Sequence, residues 1–214
     1  MKKYRKYLNN QSKQFSNDLL NMSTAQCDVF LDELQYWDGT VSQHGTVILD
    51  SVDFVSNSFI QTLIHLRGGR SIAGEFTKKN TLKPDELYKI PRVSISTKDP
   101  FVSTNTLDIT KYPSTEKVGC VSVPSSYLLV KQDYNIFVSG NCLSFDTEIL
   151  TKDGWVNHST ITPSSLVANW DSETKTITYT TPSDIIKGIN KDMVVNIVTD
   201  RLSQRVTANH RVVL

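Results

Sequence analysis

Two stretches in the first half of the chain repeat apolar residues at helical spacing. The first follows Ser23-Thr-Ala-Gln26, a capping-box pattern, and ends at Asp38-Gly39. The second can be capped by Ser51 and ends at Gly68-Gly69. Short runs typical of strands accompany these stretches at Thr46–Leu49, Ser71–Phe76 and Arg92–Ser96. This alternation predicts an α+β fold for the first half.

From about residue 113 the pattern changes to short apolar runs separated by turn residues, with no convincing amphipathic helix. Many short strands at close spacing predict an all-β unit. We expect the domain boundary near Lys111–Ser114, where Pro113 and polar residues interrupt the pattern. The strand candidates are Val118–Val123, Tyr127–Val130, Ile136–Val138, Glu148–Leu150, Thr176–Thr180, Val194–Val198 and Gln204–Thr207.

The composition is that of an ordinary folded protein, with 38% apolar and 21% charged residues. No apolar run approaches the roughly 18 residues that a membrane helix needs. The first residues, Met1-Lys-Lys-Tyr-Arg-Lys-Tyr7, lack the apolar core of a secretory signal. We therefore expect a cytoplasmic protein without a membrane partner.

The cysteines and histidines show no metal-ligand spacing. Cys27, Cys120 and Cys142 are odd in number and far apart, so the sequence contains neither a disulfide framework nor a CxxC pair. In a reducing compartment these thiols stay free, and one of them is then available as a nucleophile.

Charge is unevenly distributed although the net charge is only +1. Basic residues exceed acidic ones in residues 1–20 and 67–98, and an acidic stretch lies between these segments. A basic surface beside carboxylates suits an enzyme that handles phosphate backbones. The alternative is that these charges are the solvated faces of a mixed domain.

Three motifs converge on one junction. Val118-Gly-Cys-Val-Ser-Val-Pro124 with Phe137-Val-Ser-Gly-Asn141 resembles the C-terminal end of an intein, a self-splicing protein segment. The next residues, Cys142-Leu-Ser-Phe-Asp-Thr-Glu-Ile-Leu-Thr-Lys-Asp-Gly-Trp155, resemble the opening of an intein, and Thr207-Ala-Asn-His210 matches its TxxH motif. The resemblance covers roughly residues 113–214 and implies the all-β Hint (hedgehog-intein) fold.

The resemblance implies a self-processing junction between Asn141 and Cys142. The Cys142 thiol attacks the upstream carbonyl and converts the amide into a thioester. The Asn141 side chain closes on its own carbonyl carbon as a succinimide and expels the next residue. His210 donates a proton to the departing amide nitrogen, and Thr207 helps to hold the carbonyl. Splicing of this kind needs no cofactor, because intramolecular attack gains an effective molarity on the order of 10⁵–10⁸ M.

Two positions depart from the intein pattern. Gly140 precedes the terminal Asn, where many inteins have His, so we expect cyclisation to be slow or to use another donor such as Lys131 or water. Cys120 lies where the family often has Asp or Cys, and it either tunes the site or fills the core.

The order of the pieces is also unusual, because an intein runs from its Cys to its Asn. Three explanations are open: two inteins back to back, a circularly permuted Hint unit, or a partial chain of a longer reading frame. We favour a permuted or tandem arrangement for the fold, with a truncated frame as its origin. The expected partner is a flanking extein or a complementary intein segment.

The first helix ends in Phe30-Leu-Asp-Glu-Leu-Gln-Tyr-Trp-Asp38-Gly39-Thr40, which is similar to a degenerate LAGLIDADG motif of homing endonucleases. This resemblance implies that Asp38 holds Mg²⁺ between DNA strands. The enzyme needs two such motifs and only one is found, and Asp32 and Glu33 replace the small residues that let two helices approach. We expect a remnant with weak DNA binding and no cleavage, or Asp38 as a plain turn residue.

The sequence therefore predicts an α+β, LAGLIDADG-like half over residues 1–112, followed by an all-β Hint-like horseshoe in permuted order. Its C-terminal intein segment spans residues 113–141 and its N-terminal intein segment spans residues 142–214. The predicted function is autocatalytic splicing or cleavage at Asn141–Cys142. The alternatives are a remnant endonuclease or DNA-binding module, and an inactive intein fragment.

Overall fold

The computed structural model describes residues 14–16, 19–20, 22–37, 39–43, 46–51, 53–67, 69–79, 82–83, 85–96, 107–140, 142–174, 176–199 and 203–210. The chain divides into two compact units, residues 1–100 and residues 101–214. The three segments expected from the sequence, residues 1–112, 113–141 and 142–214, stay predictions.

The first unit packs two helices against a four-stranded antiparallel sheet. Helix α1 spans Thr24–Trp37 and helix α2 spans Phe54–Leu66. The sheet has the order β1-β2-β4-β3, with β1 at Gly39–Val41, β2 at Val47–Asp50, β3 at Arg70–Lys79 and β4 at Leu87–Ser96. The apolar face of α2 is buried, with Phe59, Ile60, Leu63 and Ile64 in the core.

Side-chain caps start both helices. Ser23 forms the predicted capping box, since its Oγ accepts a hydrogen bond from the Gln26 N–H at 3.3 Å and Gln26 Oε1 accepts from the Ser23 N–H at 2.9 Å. Helix α2 is capped by Asp53, not by the predicted Ser51. The reason is that the Asp53 carboxylate accepts from two backbone N–H groups of the first turn, at 3.0 and 3.3 Å.

In its described residues, the second unit has twelve strands and a 3₁₀ turn at His158–Thr160. The strands are β5 (Asp108–Pro113), β6 (Glu116–Ser122), β7 (Leu128–Gln132), β8 (Asn135–Ser139), β9 (Leu143–Ser144), β10 (Glu148–Thr151), β11 (Gly154–Asn157), β12 (Val167–Trp170), β13 (Ile177–Thr180), β14 (Asp184–Asn190), β15 (Met193–Val198) and β16 (Ser203–Thr207).

These strands form two six-stranded sheets. One sheet has the order β11-β10-β12-β7-β8, with β13 also paired to β12, and the other has the order β14-β6-β9-β16-β15-β5. Both sheets contain strands from before and from after the Asn141–Cys142 junction. Both sheets also contribute to one core, which consists of Val121, Val123, Leu128, Val130, Leu143, Ile149, Ile161 and Val167. The two sides of the junction therefore fold as one unit.

The predicted fold class, an α+β N-terminal half followed by an all-β Hint-like horseshoe in permuted order, is wrong in its α+β part, and the Hint-like horseshoe stays a prediction. The structure is mostly β, with 51% of the described residues in strands, 18% in helices and only two α-helices. The sequence pattern marked only Ser71–Phe76 and Arg92–Ser96, whereas β3 and β4 are each ten residues long. Cross-strand pairing extends this hairpin through polar residues such as Thr77 and Lys89, which periodicity does not mark as strand.

Among the described residues, no helix has the length and apolar character required to cross a membrane.

Candidate functional site

The segment before the junction is held by a hairpin. Strands β7 and β8 pair from Leu128↔Ser139 to Gln132↔Asn135, so the turn is Asp133-Tyr134. Asp133 has φ of 51°, a left-handed conformation that Asp adopts more readily than most residues. The hairpin ends at Ser139, whose side chain is buried at 1% exposure. Ser139 is therefore fixed two residues before Asn141.

The segment after the junction enters the other sheet at once. Strand β9 lies between β6 and β16, with Leu143 opposite both Gly119 and Val206. Cys142 directly precedes Leu143, while Cys120 and Thr207 directly follow its two partners, Gly119 and Val206. Three of the predicted site residues are thus brought together by strand order alone.

The two cysteines touch. The Cys120 and Cys142 thiols are hydrogen-bonded to each other, and the Cys142 backbone N–H donates to the Cys120 sulfur. Both thiols are free and half-buried. Burial, followed by the hydrogen bond and the charge of Cys142, raises the pKa of Cys120 to about 12. Because its pKa is raised, Cys120 keeps its proton at neutral pH.

The backbone at Cys142 is strained. Its φ is 58°, in the left-handed region that residues with a Cβ rarely adopt. A residue held there costs of order 1–3 kcal/mol, which the surrounding strands must offset. Pairing of Leu143 on both sides provides this restraint. The strain lies at the residue that follows the predicted scissile bond.

His210 reaches the same junction from the end of β16. Its Nε2 atom lies 2.9 Å from the Ser139 Oγ, and its backbone N–H donates to the Thr207 carbonyl at 3.0 Å. Gln204 Nε2 also donates to the Ser139 Oγ, at 3.4 Å. The imidazole is therefore anchored to the strand end immediately before Gly140. Ser139 was missed by sequence reasoning, because only the tertiary structure makes it the partner of His210.

Thr207 is already hydrogen-bonded in this conformation. Its Oγ1 donates to Asn209 Oδ1 at 2.9 Å, which uses the single hydroxyl proton. The Thr207 hydroxyl must leave Asn209 before it donates to a carbonyl at the junction. Gly140 is buried between Ser139 and the junction. Asn141 itself lies outside the described residues.

Lys131, the predicted alternative proton donor, is engaged elsewhere. Its Nζ forms an ion pair with Glu148 Oε2 at 2.6 Å and lies 5.3 Å from the centre of the Trp155 ring. The partner is set by strand pairing, because Lys131 of β7 lies opposite Glu148 of β10. The remaining alternative donor for cyclisation is water.

A hydrogen-bond network around the Asp146 carboxylate supports strand β9, which follows the junction. Sequence reasoning missed this network. Asp146 accepts hydrogen bonds from Ser144 Oγ at 2.6 Å and Gln132 Nε2 at 3.1 Å, and it is ion-paired with Arg205. Burial alone would raise the pKa of the Asp146 carboxyl, but the bonds from Ser144 and Arg205 outweigh it and the pKa is lowered. The network ties β7, β9 and β16 together.

The residue before Cys120 has no room for a side chain. A Cβ at Gly119 would lie 2.1 Å from Cδ2 and 2.7 Å from Nε2 of His158. His158 is 4% exposed, and burial followed by the charge of Lys187 lowers its pKa, so the ring is neutral. The neutral ring fills the space over β6 that glycine leaves open.

Gly119→Ala is expected to lower the free energy of unfolding by roughly 1–3 kcal/mol, because the buried ring must shift to admit the methyl group. Gly188 of β14 is the matched control: it pairs with Val118 of the same strand, and nothing lies within 4 Å of its Cβ position. Gly188→Ala should leave stability unchanged or raise it by up to about 1 kcal/mol. Urea denaturation measures the free energy of unfolding of both variants. Equal effects of the two substitutions would contradict the close contact between Gly119 and His158.

The predicted Mg²⁺ ligand Asp38 lies outside the described residues. In the part of the chain that the structure describes, no group of three or more His, Cys, Asp or Glu residues is arranged to hold a metal ion. The nearby helix carboxylate Asp28 forms an ion pair with Arg67. The described residues therefore supply no set of Mg²⁺ ligands, and the metal site stays a prediction.

Comparison with known proteins gives one similarity. The chain is 26% identical over 117 residues to ribonucleoside-diphosphate reductase subunit beta of Aquifex aeolicus (strain VF5). The match covers 53% of this chain but only 16% of that protein. No model of a known protein family matches the chain. No solved structure matches it either.

Proposed function

We propose that the second unit is an intein-like self-processing unit that breaks its own peptide bond between Asn141 and Cys142. The observation that supports this most directly is the 2.9 Å contact between His210 Nε2 and Ser139 Oγ. This contact joins His210 to Ser139, which lies 71 positions earlier in the chain at the end of the strand before the junction. The His210 imidazole, the strained backbone at Cys142 and the free Cys142 thiol are the kinds of group that such a rearrangement requires.

The first route uses the Cys142 sulfur. The Sγ–C bond to the Asn141 carbonyl carbon forms, the C–N bond breaks, and the thiol proton passes to the departing amine. His210 is the group that delivers a proton to this nitrogen. The product is a thioester, which water or an added thiol then cleaves.

The second route uses the Asn141 side chain. Its Nδ2 atom bonds to the Asn141 carbonyl carbon, the same C–N bond breaks, and a proton moves from Nδ2 to the Cys142 amine. The upstream fragment then ends in a succinimide. We infer that this route is the slower one, because Gly140 supplies no side chain and Lys131 is paired with Glu148.

The compartment follows from the chemistry. The thioester route requires a reduced Cys142, and all three cysteines are free thiols. We infer a reducing, cytoplasmic setting for the chain. A flanking extein or a complementary intein segment is the partner that fits this function.

DNA binding by the first unit remains the alternative function. The basic residues of residues 67–98 are its main argument, but several of them are ion-paired: Arg67 with Asp28, Lys78 and Arg92 with Asp50, Lys83 with Glu86, and Lys89 with Glu75. Paired cations give a weaker field for a phosphate backbone than the sequence suggests. This observation favours the junction as the functional site.

Intact-mass measurement of the purified chain, incubated with and without a thiol, tests the proposal. We expect fragments that match Met1–Asn141 and Cys142–Leu214. The two routes differ in the upstream fragment, because a succinimide end is lighter by one water than the acid left by thioester hydrolysis. An unchanged full-length mass after long incubation with thiol would instead identify an inactive fragment.

A further inference from the structure

We propose that Cys120 and Cys142 form a reversible disulfide, which makes the junction a site of thiol oxidation by low-molecular-weight disulfides such as glutathione disulfide. The bond would remove the sulfur on which the thioester route depends. The loss of the thioester route rests on the proposed function, whereas formation of the disulfide does not.

Strand geometry brings the two sulfurs within bonding reach. Gly119 of β6 pairs with Leu143 of β9, so Cys120 and Cys142 are each the direct neighbour of a residue in this pair. The thiols are already hydrogen-bonded to each other. Oxidation thus requires little movement of the backbone.

The reaction balances by two thiol–disulfide exchanges. Cys142 attacks glutathione disulfide first, because Cys120 holds its proton with a pKa of about 12. This step forms a mixed disulfide on Cys142 and releases one glutathione. Cys120 then attacks the Cys142 sulfur and releases the second glutathione. The protein loses two electrons and two protons, and the oxidant gains both.

Oxidation should be selective for Cys120 and Cys142 over Cys27. Cys120 and Cys142 are half-buried and so are partly open to a small disulfide, whereas Cys27 is 4% exposed in the core of the first unit. Burial raises the pKa of Cys27, and the neighbouring Asp28 adds to the effect. Cys27 therefore serves as an internal reference for a thiol that should not react.

The test treats the whole chain with glutathione disulfide, alkylates the remaining thiols after denaturation, and maps the peptides by mass. We expect a linked peptide pair of Cys120 and Cys142, lighter by two hydrogens, with Cys27 alkylated. In Cys120→Ser the same treatment should leave a stable glutathione adduct on Cys142. The proposal would be overturned if, at equilibrium, Cys142 of the unsubstituted chain stayed a free thiol or carried only glutathione. A disulfide to Cys27 would overturn it as well.

The functional part is read on the same samples. Oxidised chain should show no thioester-dependent cleavage, and a phosphine reductant should restore it to the rate of the untreated chain. Cleavage that proceeds equally with the Cys120–Cys142 bond in place would overturn the regulatory part. If the reduced chain never cleaves, the proposed function fails, while the peptide map still decides whether the disulfide forms.

Discussion

Cys142→Ala is expected to abolish thiol-dependent cleavage between residues 141 and 142. Alanine has no atom that can bond to the Asn141 carbonyl carbon, so no thioester forms for an added thiol to intercept. The substitution removes only a half-buried sulfur, and the flanking pairs of Leu143 with Gly119 and Val206 remain. Intact mass over a time course with thiol measures the effect.

Asn141→Ala is the complementary variant, since it removes the succinimide route and leaves the Cys142 sulfur in place. We expect it to keep thiol-dependent cleavage and to lose the fragment with the succinimide end. The double variant should stay at full length. Cys27→Ala, which removes a thiol from the other unit, is the matched control and should cleave at the original rate. Thiol-dependent cleavage that persists in Cys142→Ala would contradict the thioester route.

His210→Ala is expected to slow cleavage by roughly 10²–10⁴-fold, the contribution of a positioned acid–base group. The departing amide nitrogen then loses the His210 donor, and the other predicted donor, Lys131, is paired with Glu148. Added imidazole should recover part of the rate by entering the vacated space. The measurement is the single-turnover rate constant from fragment mass, with and without imidazole.

His210→Gln separates chemistry from structure. A glutamine amide can replace the hydrogen bond to Ser139 but does not transfer a proton at neutral pH. We expect the same loss of rate as for alanine, with an unfolding temperature close to that of the unsubstituted chain. His65→Gln in helix α2 of the first unit is the matched control and should not change the rate. Full activity in His210→Gln would reduce the role of this imidazole to packing.

Several elements could be predicted from local sequence. The capping box at Ser23 appeared in the structure because it depends only on residues three apart. Short strands of the second unit likewise follow from alternating apolar residues between turns. The start of α2 at Asp53 rather than Ser51 shows the limit of this reasoning. The sequence pattern predicted only Ser51, and the hydrogen bonds of the first turn identify Asp53 as the cap.

The fold class was less predictable. Strands β3 and β4 reach ten residues each because each pairs with the other along its whole length. Their polar positions satisfy backbone hydrogen bonds across the hairpin and need no apolar periodicity. Pattern reasoning weighs the apolar positions of single segments, so it underestimated the length of the strands in the first half.

What the sequence determined by itself was the chemistry available: an Asn–Cys bond, a thiol at Cys120 and a TxxH motif, each recognisable from residue type and spacing. What only the tertiary structure decided was which groups meet. Strand order set Cys142 between Cys120 and Thr207, and the fold brought His210 to Ser139 rather than to any neighbour in sequence. The physical reason is that side-chain character is local, whereas contacts between distant residues depend on the pairing of whole strands and on the core they share.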